Sequence, residues 1–162
     1  MDQKIWKRIW SINVPPRVGT FVWRACFYIL PTKANLFHKK VLVDPLCSVC
    51  GQVDETTVHI LWECPLARNV WVLVWGRIQK TNSSTTSFFL LTRQMMERLS
   101  KKELEMWTMV VWSLWKAHNR IHFRHLQSHP TEILKQVTYL MVEYQKLVKD
   151  FVHQQWTWDS QF

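Results

Sequence analysis

Four residues inside an eighteen-residue stretch constrain this chain more than any others: Cys47-Ser-Val-Cys50, then His59, then Cys64. Two cysteines separated by two residues can turn both sulfurs toward one centre. His59 and Cys64 stand five apart, across the end of a short predicted helix, and can converge on the same point. Three thiolates and one imidazole fill a tetrahedral zinc shell and leave no open position, which is the structural and not the catalytic arrangement. Gly51 follows the second cysteine, where a metal-wrapped turn benefits from a residue free to take φ > 0. A redox use of the Cys-x-x-Cys pair needs a βαβ setting, and the flanking pattern is helical.

Around that loop the apolar residues recur at helical spacing. Residues 3–12 place Ile5, Trp6, Ile9 and Trp10 on one face, and Pro15 and Pro16 then suit the first turn of a second helix running to Ile29, stopped by Pro31. Thr32 is the expected N-cap of a third helix through Leu36 and Phe37. Further helices are predicted over 55–61, 65–78, 88–99, 102–125 and 131–151. With only three glycines, a turn-rich β fold is excluded. The expected fold is all-α, about six helices with a zinc-organised loop of the CCHC ligand set. The expected organisation is a zinc-binding unit over 1–80, a polar linker over 81–87 and a tryptophan-rich helical hairpin over 88–162. Cys26 lies among apolar residues and is read as core packing.

The net charge of +9 is unevenly spread: residues 1–46 and 76–129 each carry +6. Such a balance favours an anionic partner, RNA or DNA. The candidate contacts are Lys4, Lys7, Arg8, Arg17, Arg24, Lys33, Lys39 and Lys40. No stretch reaches the ~18 apolar residues of a membrane span, and no apolar segment follows the charged N-terminus, so neither a membrane partner nor a signal peptide is expected. The expected location is nucleus or cytoplasm, where thiols stay reduced.

The residues also carry a resemblance. Trp6-x-x-x-Trp10, Val14-Pro15-Pro16-Arg17-Val18, Phe21-Val22-Trp23-Arg24, Leu30-Pro31-Thr32-x-x-x-Leu36, Cys47-x-x-Cys50, Glu55-Thr56-x-x-His59-Ile60-Leu61, Cys64-Pro65 and Val70-Trp71 follow one another in order. This run resembles the reverse-transcriptase zinc-binding domain of plant LINE-type (non-LTR) retrotransposons and the host genes derived from them. The resemblance implies zinc ligation by Cys47, Cys50, His59 and Cys64. A weaker match, Val111-Trp112-Ser113-Leu114-Trp115-Lys116-Ala117-His118-Asn119-x-x-x-Phe123, looks like the helical segment between the zinc domain and a ribonuclease H domain. Family members usually carry Arg-Asn where this chain has His118-Asn119. Neither a polymerase aspartate motif nor the acidic ligands of a ribonuclease H stand in the sequence, so the chain is expected to be an element's remnant or a host gene built from its zinc-binding part.

Other chemistry is not visible. His118, His122 and His125 share a helix face, but the zincin pattern needs Glu after the first His and Asn119 stands there, so a weakly basic face is expected. No Ser/His/Asp signature, glycine-rich phosphate loop or paired carboxylates on one face appear. Tryptophans beside basic residues, such as Trp6 with Lys7 and Arg8, have the composition of a strand-stacking surface. Core packing of Trp6, Trp10, Trp23, Trp71 and Trp75 around the zinc is the favoured reading. The sequence therefore points to a non-catalytic structural Zn2+ module that binds RNA or DNA and takes no small-molecule substrate. The competing reading is a host protein–protein adaptor using its tryptophan-rich helices.

Overall fold

In the computed structural model, residues 3–74, 78, 85 and 87–159 are described, with side chains to 155. The described chain is helical, its one pairing of extended residues being an isolated antiparallel bridge between Leu46 and Asp54 in the cysteine loop. The elements are α1 (Gln3–Ser11), α2 (Pro16–Cys26), α3 (Lys33–His38), a π-helical turn (His59–Glu63), α4 (Pro65–Leu73), α5 (Phe88–Arg98), α6 (Lys101–Arg124) and α7 (Pro130–Asp159). The all-α expectation holds; the described residues form eight helical segments, as many as the periodicity placed along the chain and more than the about six expected of the fold. The expected linker 81–87 lies almost wholly outside the described residues, as does Trp75.

Local chemistry sets the boundaries. Pro16 opens α2 and Pro65 opens α4, where a missing N–H costs nothing. Thr32 caps α3 through Asn35 N at 3.2 Å, and Ser100 and Glu103 form a reciprocal capping box on α6. The second helix stops at Cys26, short of the expected Ile29. Tyr28 takes φ 57°, and Ile29 N bonds Arg24 O while Tyr28 N bonds Ala25 O, a Schellman closure made without glycine. The expected helix over 55–61 is instead a π turn from His59, closed by Cys64 N on His59 O at 2.6 Å. Helix α4 ends at Leu73, where Val74 is extended, and α7 runs well past residue 151.

One continuous buried cluster runs from Ile5 in α1 to Val137 in α7. Helix α6 is its axis and packs on α2, α7 and the π turn, while α7 also lies on α4. Trp62, Trp71 and Trp107 are fully buried; Trp62 and Trp71 meet at 5.1 Å, and Trp71 Nε1 donates to Leu61 O. Trp10 and Trp23, expected in the core, are 53% and 36% exposed. Trp10 lies across Gly19, where a Cβ would come within 2.9 Å of its ring, so a tight α1–α2 crossing and not depth explains it. Trp23 and the half-buried Trp6 flank Phe27 at 4.8 and 5.7 Å, an aromatic row at the surface.

Candidate metal centre and basic surface

The cysteine loop leaves α3 at Lys39 and returns to the π turn. Cys47 N bonds Val53 O and Gly51 N bonds Cys47 O, which folds the two-residue spacer into a knuckle. Gly51 sits at φ 64° with no atom near its missing Cβ, so its requirement is conformational and not steric. On the return side the π turn brings His59 and Cys64 to one side of the chain: an i→i+5 bond lines up residues five apart, which an α-helix would splay.

The ligand atoms of Cys47, Cys50, His59 and Cys64 all lie within 4.8 Å of one another. Cys47 Sγ is 3.9 Å from Cys64 Sγ, and Cys50 Sγ is 3.4 Å from His59 Nε2. A tetrahedral zinc shell has sulfur–sulfur edges of about 3.8 Å and sulfur–nitrogen edges of about 3.5 Å, from its usual bond lengths. The donor set and its edges fit the ion. The thiols already share charge unequally: hydrogen bonding from Cys64, joined by His118 and His59, pulls Cys47 far below the usual thiol range. The same contact with Cys47, and burial, push Cys64 far above it. A zinc ion held by these four residues would be bound by three thiolates, with the thiol protons released to solvent. Cys26 stands apart, its thiol donating to Thr92 Oγ1 at 3.4 Å and pushed up to about 11 by burial, as core packing requires.

Two residues that the sequence reading did not place at the centre, Glu55 and His118, complete it. His118 is 2% exposed and not on a weakly basic outer face; its Nε2 lies 3.5 Å from both Cys47 Sγ and Glu55 Oε2. Its neighbour one turn on, His122, bonds Ser48 Oγ at 2.7 Å, so α6 grips the knuckle at two points. Glu55, 5% exposed, accepts from Lys33 N at 3.0 Å and Ser48 N at 3.4 Å, while its backbone bonds Pro45 and Ala34. Such outer partners orient metal ligands and hold their charge. Glu55 was visible only as a letter in the matched run; no spacing rule marks a buried carboxylate.

The expected nucleic-acid contacts separate into two groups. Arg8 turns inward and its guanidinium closes on the carbonyls of Met96 and Leu99 at the end of α5, and Lys33 lies 3.9 Å from Asp44. Lys4, Lys7, Arg17, Arg24, Lys39 and Lys40 are exposed.

A metal knuckle clasped between short helices and one long helix defines a helical zinc-binding module. The family described as zinc-binding in reverse transcriptase matches residues 1–71, so the N-terminal part of the chain is of the kind its motifs resemble. Part of the chain is also similar to an Arabidopsis thaliana protein named "Putative ribonuclease H protein", 26% identical over 112 residues. That match takes in 67% of this chain, which spans only 18% of the relative's length. No solved structure matches the chain. A reverse-transcriptase zinc-binding family and a plant relative are the matches that the motif run implied.

Proposed function

We propose that the chain is a non-catalytic module in which Cys47, Cys50, His59 and Cys64 hold one structural zinc ion, and which binds RNA or DNA. The closed four-ligand set supports a structural metal, since a catalytic zinc keeps a position for water. The expected zinc content is one equivalent in the wild type and none in Cys50→Ser, read by mass spectrometry of the native protein. Full zinc in the variant refutes the ligand assignment.

The observation that carries the nucleic-acid reading is uncompensated surface charge. Lys7, Arg17, Arg24, Lys39 and Lys40 are exposed and have no carboxylate partner among the described residues. Phosphates are the anions such a surface attracts, and the attraction is salt-dependent through counterion release. Titration of RNA and DNA at two salt concentrations should give an affinity that falls as salt rises. Absent binding, or binding indifferent to salt, removes this reading.

A protein–protein adaptor is the second reading. It draws on α7, whose Tyr139, Val142, Leu147 and Phe151 are exposed apolar residues, while Ile133 and Val137 are its buried ones among the described residues. Co-purification of a stoichiometric protein partner without nucleic acid would select it. No helix among the described residues is long and apolar enough to cross a membrane.

A further inference from the structure

A second cationic cluster lies on α6, away from the face that grips the zinc loop. Trp112, Lys116, Arg120 and Phe123 fall on one stripe of that helix by their spacing. Arg17, from the first turn of α2, places its guanidinium 5.0 Å from the centre of the Trp112 ring, and Lys116 Nζ lies 4.4 Å from the same centre. Burial first, and then the charges of Arg120 and Arg17, lower the Lys116 pKa, so both arginines lie within electrostatic reach of Lys116. None of the three has a carboxylate partner among the described residues. Glu143 of α7 lines the adjoining groove with Arg17, Trp112 and Tyr144. Arg120 Nε is buried and has no hydrogen-bond partner among the described residues.

Two cations on one indole, with Arg120 one turn on from Lys116, repel one another, and cation–π attraction of about 1 kcal/mol for each of the two offsets only part of that. An anion bridging them removes the repulsion. Phe123, on the same stripe about 10 Å along the axis from Lys116, is 73% exposed, its ring met only edge-on by His122. A phosphate-binding cluster followed by a free aromatic face is the pattern that holds a single strand, with the backbone on the cations and a base on the ring. A duplex would keep its bases from that ring.

We propose that Arg17 and Lys116, which meet over Trp112, and Arg120 one turn on bind backbone phosphates of single-stranded nucleic acid, and that Phe123 stacks one of its bases. This assignment rests on the nucleic-acid reading above and moves its centre from the N-terminal lysines to the α2–α6 surface.

The test is a fluorescence titration of the full chain with oligouridine of about 20 nucleotides, and with a duplex of the same length. Arg17→Gln/Lys116→Gln, both at exposed positions, should weaken single-strand binding about 10-fold. It should also lower the salt slope by about 1.4, the value for two lost contacts on a single strand. Phe123→Ala should weaken the single strand about 5-fold and leave the duplex unchanged. Arg120→Gln should follow the double variant, with circular dichroism reporting its fold. Lys39→Gln/Lys40→Gln should stay within about twofold of wild type. Equal weakening by the Lys39/Lys40 pair overturns the assignment, as does a duplex bound as tightly as the single strand. A wild type that binds no strand overturns the nucleic-acid reading itself, a result distinct from wild-type binding that the α2–α6 variants leave intact.

Discussion

Glu55 is the residue on which the metal loop closes. Its two carboxylate oxygens satisfy Lys33 N and Ser48 N and meet His118, so it joins the start of α3, the knuckle and α6. Truncating it leaves two buried amides and an imidazole without an acceptor, and each such group carries its own desolvation cost. Glu55→Ala should therefore lose about 3 kcal/mol of unfolding free energy, and Glu55→Gln, which keeps one acceptor oxygen, roughly half of that. Denaturant unfolding of the zinc-loaded proteins measures both; a Glu55→Ala loss within error of zero would show that the carboxylate is incidental. The four ligands were legible from sequence because their signal is spacing, a local property. Glu55 and His118 were not, because their burial is decided by a helix seventy residues away closing over the loop. The basic residues show the same limit: nothing in Arg8 distinguishes it from Lys7, yet Arg8 alone reaches the end of α5.

At the scale of elements, helix identity was readable and helix ends were less so. Proline and Thr32 announced their starts, because N-terminal chemistry is carried by residue type. The ends of α2 and α3 fall on Tyr28 and Lys40 at φ 57° and 58°, conformations that glycine would have advertised and these residues do not. The π turn was also hidden, since its extra residue per turn serves the metal ligands and not an apolar stripe. Helix α6 has the firmest start, the Ser100 hydroxyl receiving Glu103 N at 3.3 Å and Glu103 receiving Ser100 N at 2.8 Å. Ser100→Ala should cost about 1 kcal/mol, seen as a fall of about 2–4 °C in Tm. An unchanged Tm would mean that packing of α6 alone sets its first turn.

Across the whole molecule the buried cluster is continuous from α1 to α7, and the zinc loop is fastened to α6 by His118 and His122. Chelation should accordingly act on everything at once. With the metal removed by a chelator, heating should give a single transition about 10 °C or more below that of the loaded protein, and not an early partial melt followed by an unchanged main one. Two well-separated transitions in calorimetry would instead mean that the part before residue 80 and the helices after residue 88 fold independently. The grip of α6 on the knuckle carries a practical corollary for anyone excising this module. A fragment ending at residue 71, where the family match stops, would hold every sulfur and the imidazole yet lack the strut that shields Cys47. The smallest piece able to keep its ion in dilute solution should extend at least to Arg124.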